Sequence, residues 1–195
     1  PLLASSWEVS SDRLVWTFRL RSGVRFHDGT PFNATAMKFS LDRQFVKDHP
    51  YHDVEGAFKY WKDMGMDTIV DDIAAPDDST LVISLNQPNA PFLSNLAMNF
   101  AAAVSPTAVR QHGDDYFKNP VGTGPFRFIE WRKDERIVLQ RNQDYWGRIP
   151  PLQRLIFKPI QDASVRYLEL KTGAIHGLDN LSPEFVEEIR QNPQL

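Results

Sequence analysis

The segment His49-Pro50-Tyr51-His52, flanked by Asp48 and Asp53, combines imidazoles and carboxylates at a spacing that suits a metal ion. Such a donor set fits Zn²⁺ or Ni²⁺. An H-x-x-H spacing puts both rings on one face of a helix, but Pro50 opposes a helix at this point. Solvated loop side chains are the alternative reading. Adjacent carboxylates occur at Asp71-Asp72, Asp77-Asp78, Asp114-Asp115 and Glu187-Glu188. Glycoside chemistry needs two carboxyl groups facing one bond across roughly 5–10 Å, whereas neighbours on a strand point to opposite faces. Turn and helix-surface solvation accounts for these pairs. Val121-Gly122-Thr123-Gly124-Pro125 has the glycines of a phosphate loop but no following Lys, and it runs into a strand rather than a helix. It reads as a strained connection between two elements. There is no G-x-S-x-G elbow and no cysteine, so the residues assemble no recognisable catalytic constellation. What remains is aromatic: Tyr51, Phe58, Tyr60 and Trp61 share one irregular stretch. Aromatics on a loop either line a binding site or pin the loop to the core.

The elements that must position these residues are legible in part. Leu14, Trp16, Phe18 and Leu20 alternate with Thr17, Arg19 and Arg21, which predicts a half-buried strand with Trp16 and Phe18 in the core. Arg25-Phe26-His27 reads as a short extended piece closed by the turn Asp28-Gly29-Thr30-Pro31. Asn33 predicts an N-cap for a helix to about Val46, with Met37, Leu41 and Phe45 as its apolar stripe. Residues 47–66 read as a long loop with at most one helical turn, a length of loop that is often functional. Ile69–Ile73 and Thr80–Leu85 bracket a turn and predict an antiparallel pair. A short helix is expected over Asn89–Met98. The alternating runs 126–131 and 136–141 predict a hairpin, and 155–160 another strand. Asp162 caps a helix to about Thr172, with Val165 and Leu168 inward and Gly173 as its stop. Ser182 caps a last helix, with Pro183 at its first position. Helices and strands do not alternate strictly, so the fold class is α+β.

The chain has 195 residues, enough for one or two domains. With 22 basic and 25 acidic residues its net charge is -3, which argues against nucleic acid as a partner. No apolar run approaches the ~18 residues of a membrane span. The absence of cysteine excludes disulfides and thiolate metal sites without fixing a compartment. No signal peptide is visible, and the opening Pro1 reads as a processed product or a cut piece.

Several longer runs together resemble a known family. They are Leu3-Ala4-Ser5-Ser6-Trp7-Glu8-Val9, Trp16 through Phe32, Lys38-Phe39-Ser40-Leu41-Asp42-Arg43, Pro120 through Phe126, Arg136-Ile137-Val138-Leu139, Arg141 through Gly147, Ile160 through Arg166 and Leu170 through Ile175. In this order they resemble the family 5 extracellular solute-binding proteins, the peptide- and nickel-type receptors of ABC importers. Asp42-Arg43-Gln44 followed by His49-Pro50-Tyr51-His52 and Lys62 through Met66, and Ala90-Pro91-Phe92-Leu93 with Leu96 through Ala101, look most like the dipeptide-binding branch, which also includes receptors for heme and glutathione.

The resemblance implies part of a two-lobed periplasmic-binding-protein-like receptor. Residues 1–122 would be a nearly whole β-rich extra domain, and 123–195 an incomplete part of the first lobe. The chain would then be a fragment of the full receptor. Implied ligand contacts are Tyr51, Gly56 and Phe58, with His49 and His52 as loop residues near the cleft. The Gly122-Thr123-Gly124 stretch would be the crossover between domains. The resemblance further implies no catalysis, no cofactor and no metal. The partners would be a small peptide or related ligand and the membrane permease, for a monomer in the periplasm or tethered outside the cell. The alternatives are a metal- or carboxylate-dependent hydrolase built on Asp48, His49, His52 and Asp53, or the ligand-sensing domain of a regulator.

Overall fold

The computed structural model describes residues 2–52 and 58–192. The chain divides into two units, Pro1–Ile129 with Leu139–Leu155, and Glu130–Val138 with Ile156–Leu195.

The first unit is built on a four-stranded antiparallel sheet of β1 (Ala4–Val9), β2 (Val15–Leu20), β3 (Val70–Asp77) and β4 (Thr80–Leu85), in the order β1-β2-β4-β3. The alternation in β2 sets its register. Phe18 lies opposite Leu81 and Trp16 opposite Ile83, so one face of the central strands is apolar. Phe18, Leu20, Leu81, Ile83 and Ile73 are buried there. Trp16 is half-buried and packs against this core, its ring 5.2 Å from that of Phe92. The edge strand β1 is almost wholly exposed, and this is why its sequence lacks the alternation that marks β2.

Helix α1 (Ala34–Phe45) begins where Asn33 predicts, its side-chain oxygen accepting from the Ala36 amide. Met37 and Leu41 are buried and Phe45 packs against the core. The helix buries a second row too: Ala36, Ser40, Arg43 and Gln44. Ser40 bridges to the Val104 amide and carbonyl, and Gln44 donates to the Phe100 carbonyl. These bonds tie α1 to the later part of the unit. Beyond it the stretch read as a loop contains two helices, α2 (Lys59–Asp63) and α3 (Met66–Ile69). Neither has a side-chain cap: Phe58 and Gly65 occupy the N-cap positions in left-handed conformations, at φ 63° and 66°. Packing of the buried Trp61 and Met66, not local signals, holds them.

The helix expected over 89–98 is only α4 (Phe92–Asn95), followed by a 3₁₀ turn at Asn99–Ala101. Helix α5 (Pro106–His112), absent from the sequence reading, is capped by Ser105, whose hydroxyl accepts from the Ala108 amide and donates to Asp28. Asp28 in turn accepts from the Thr30 amide and hydroxyl, which fixes the turn that places Phe26 against Phe32.

The Val121–Pro125 connection is not strained. Gly122 and Gly124 lie outside the left-handed region, and a Cβ at either would meet its neighbours at ordinary distances of 3.9 Å or more. Its rigidity comes instead from occupied backbone groups. The Gly122 carbonyl accepts from the His27 amide, that of Thr123 from Trp146 Nε1, and that of Gly124 from His27 Nε2 and the Asn142 side chain.

Strands β5 (Phe126–Arg132), β6 (Arg136–Arg141) and β7 (Arg154–Phe157) form a second sheet in that order, and their residues are shared between the units. Strand β7 is shorter than the expected 155–160 because Pro159 has no amide to give a ladder. In the second unit the hairpin turn carries Asp134 at φ 60°, and Glu130 accepts from Arg136 at 2.8 Å and Arg132 at 3.2 Å. Helix α6 (Ala163–Lys171) is capped by Asp162 and stopped by Gly173 at φ 74°, as expected. Its inward face is not. Val165 and Leu168 are exposed, and Tyr167 is the buried residue, stacked on Phe185 with ring centroids 4.4 Å apart. Ser182 makes no cap; its hydroxyl donates to Glu184, and a 3₁₀ turn at Pro183–Phe185 leads into α7 (Val186–Gln191).

Candidate ligand-contact site

Helix α1 ends at Phe45, and the residues that follow fold back beside its last turns. His52 Nδ1 donates to the Arg43 carbonyl at 2.8 Å, closing this return. The Tyr51 amide donates to His49 Nδ1 at 3.2 Å, so each imidazole is committed to a different partner. The two rings also pack on different aromatics. His49 meets Phe39 edge-on at 5.1 Å, and His52 stacks on Phe58 at 5.9 Å. Among the described residues no three His, Asp or Glu side chains gather where they could hold one metal ion. Asp53 and Gly56 lie outside the described residues.

Tyr51 rests against Phe39 at 6.1 Å and His49 at 5.9 Å, half-buried. Phe58 carries the Arg43 guanidinium over its ring at 5.5 Å. Its left-handed backbone is unfavourable for a residue with a Cβ and is held by what surrounds it. Tyr51 thus packs with Phe39 and His49, and Phe58 with His52 and Arg43, so each aromatic rests on a different histidine of the return. The other two aromatics of the stretch divide. Trp61 is buried against Phe45 and Phe100 and pins the chain to the core, while Tyr60 is exposed.

The sequence reading passed over the cationic half of this cluster. Arg43 is only 8% exposed and also lies over the Tyr116 ring, at 5.6 Å. Arg110, from α5, lies 5.2 Å over Phe39. Burial shifts Arg43 below its ordinary value, opposed by Tyr116. His49 is lowered as well, first by burial; Asp42 opposes this, and Arg43, His52 and Arg110 add to it. Burial raises Tyr116, whose hydroxyl donates to the Val121 carbonyl at 2.9 Å and accepts from its amide. The signal that marks Arg43 in the sequence is the second helical row, Ala36-Ser40-Arg43, which puts a charge on a face of small buried residues.

Elsewhere in the first unit an apolar hollow of about 780 Å³ is lined by Trp7, Phe18, Leu93, Met98, Tyr145 and Trp146 among others. Tyr51, Phe58 and Arg43 are not among its walls.

Residues 1–195 match the bacterial extracellular solute-binding proteins, family 5 Middle. The chain belongs to this family. The dipeptide-binding protein of Escherichia coli (strain K12) is 36% identical over 211 residues, which cover 100% of this chain and 39% of that protein. Heme-binding protein A of Haemophilus influenzae is 38% identical over 89% of the chain and 34% of its own length. Among solved structures, the periplasmic binding protein DppA from Helicobacter pylori, in complex with the peptide STSA, superimposes with a TM-score of 0.90 at 41% identity. That match covers 99% of this chain and 40% of the solved one. The α+β class and the family expected from the sequence agree with these findings. The chain spans about 40% of the length of the receptors it matches.

Proposed function

We propose that these residues form part of a receptor that captures di- or oligopeptides, or a related small ligand, and delivers it to an ABC importer permease in the membrane. The receptor acts outside the cytoplasm, in the periplasm or tethered beyond it, as a monomer without catalysis. Residues 1–122 are its β-rich extra domain and 123–195 part of its first lobe. Tyr51, Gly56 and Phe58 face the ligand. The observation that carries this reading is the family match over the whole chain, together with a 41%-identical fold in a receptor solved with a bound peptide. The Tyr51–Phe58 cluster supports the choice of surface. An aromatic side chain on an irregular segment gives large contact area at small entropic cost, and the rings are already held in place by Phe39 and Arg43.

The test uses a receptor-length protein containing these residues, equilibrated with a mixture of short peptides and passed through gel filtration. Mass spectrometry of what stays bound is expected to return intact peptides of two to four residues. Cleaved products would instead support the hydrolase reading, and retention of heme but no peptide would move the ligand toward that of the Haemophilus relative.

A further inference from the structure

We infer that the Asp28–Gly29 junction is a spontaneous modification site, the point at which this chain isomerises to isoaspartate once two side chains, Ser105 and Thr30, release it. This goes beyond the receptor reading and stands whatever the ligand is.

The sequence supplies the reactive pair, and the fold forbids its removal. Asp28-Gly29 is the one Asp-Gly pair in the chain, and there is no Asn-Gly. Without a side chain, a glycine amide is the least hindered nucleophile that can follow an aspartate. The turn needs this glycine, because Gly29 has φ 83°, a conformation that a residue with a Cβ rarely adopts. Both residues are exposed, so water reaches them.

In the reaction the Gly29 nitrogen attacks the Asp28 Cγ and a new N–C bond closes a cyclic imide. The protonated carboxyl loses its hydroxyl, which leaves as water with the amide proton. Water then adds to either imide carbonyl. Opening at one restores aspartate. Opening at the other carries the main chain through Cγ as isoaspartate, with no net change in composition.

Each reacting group is engaged elsewhere in the fold. The Gly29 amide donates to the Phe26 carbonyl at 2.9 Å. One Asp28 oxygen accepts from the Thr30 amide at 2.9 Å and from its hydroxyl at 2.6 Å, and the other accepts from the Ser105 hydroxyl. Ser105 is fully buried and also caps α5, so it holds the carboxyl from a fixed base. Burial works to raise the Asp28 carboxyl, but the bonds from Ser105 and Thr30 outweigh it and hold the group below its ordinary value. The ionised form is the poorer electrophile. Attack requires the carboxyl to leave both partners, so the reaction runs only through a local opening. Isoaspartate lengthens the main chain and moves the carboxylate off Ser105, which undoes the turn.

The test incubates the folded 195-residue chain at neutral pH beside a synthetic peptide of residues 24–33, the unguarded reference. Electron-transfer fragmentation of the segments that hold Asp28 separates isoaspartate from aspartate at equal mass. The chain is expected to isomerise far more slowly than the peptide. Ser105→Ala is expected to raise its rate about tenfold, the effect of losing one hydrogen bond to a charged group. Thr30→Val, which spares the α5 cap, is expected to raise it too. Leu41→Ala weakens the core without touching the turn and is the control for general destabilisation. A rise in Ser105→Ala or Thr30→Val that Leu41→Ala does not match supports the guard. Equal rates in chain and peptide, no rise in either turn variant, or an equal rise in Leu41→Ala would overturn it.

Discussion

His27 shows how a single side chain holds a connection that sequence reasoning attributed to glycine. Its amide donates to the Gly122 carbonyl, its Nε2 donates to that of Gly124, and its Nδ1 accepts from the Gly122 amide. The neutral Nε2–H tautomer satisfies all three; a proton on Nδ1 would face an amide hydrogen. Burial lowers its pKa, with Arg127 adding to this and the Gly124 carbonyl and Asp28 opposing it. A lowered folded value means that the unfolded chain takes up the proton first. The stability His27 contributes is therefore present above about pH 6.5 and lost as pH falls through the folded value. The urea midpoint should drop between pH 7.5 and 5, and His27→Gln should flatten that part of the profile. An unchanged slope in the variant would mean that His27 is not the group responsible. Leu41, at 1% exposure, tests the core in the same way. Leu41→Ala should cost roughly 2–5 kcal/mol in denaturant unfolding.

At the scale of elements, what was legible followed from how locally each was specified. Helix α1 has a side-chain cap and a repeating stripe, so both its start and its inward face could be read from Asn33, Met37 and Leu41. Asn33→Ala should cost about 1 kcal/mol, read from the denaturation midpoint; Asn33 also donates to Asp78, so the loss should not fall below that of a simple cap. Strands β2 and β4 could be read because one face of each is buried along its length. Strand β1 could not, since an exposed edge needs no alternation. Helices α2 and α3 lack caps and are one turn or so long, below the length at which local propensity sustains a helix. In α6 the stripe was misassigned. Its nine residues leave Val165 and Leu168 outside and bury Tyr167, a choice set by the stack on Phe185 eighteen positions along the chain and not by period. The candidate site divides in the same way. Tyr51 and Phe58 stood out by resemblance and by residue type, but Arg43 and Arg110 come together with them only through packing of α1 and α5.

For the whole molecule, the governing fact is that these residues span about 40% of the receptors they match. Trp7, Trp146 and the other walls of the 780 Å³ hollow present apolar surface, and Ile156, Phe157, Val165 and Leu168 of the second unit are exposed as well. Exposed apolar area of this extent attracts hydrophobic probes. Anilinonaphthalene sulfonate should fluoresce strongly with the 195-residue chain and weakly with a receptor-length protein; equal, weak signals would show that the hollow is already closed. Peptide affinity should follow the opposite order. These residues supply only part of such a receptor; wherever a charge-assisted ligand contact is missing the cost is about 2–5 kcal/mol, and each ~1.4 kcal/mol is a factor of ten. The 195-residue chain should therefore show no measurable heat with di- or tripeptides in calorimetric titration. The central claim is that this family member captures peptides against the Tyr51 surface. Its most direct test is calorimetric titration of the receptor-length protein and its Tyr51→Ala variant with a peptide recovered from the bound fraction. The account predicts one-to-one binding by the parent and about tenfold weaker binding by the variant, with both unfolding at the same temperature; equal affinities in the two would contradict it.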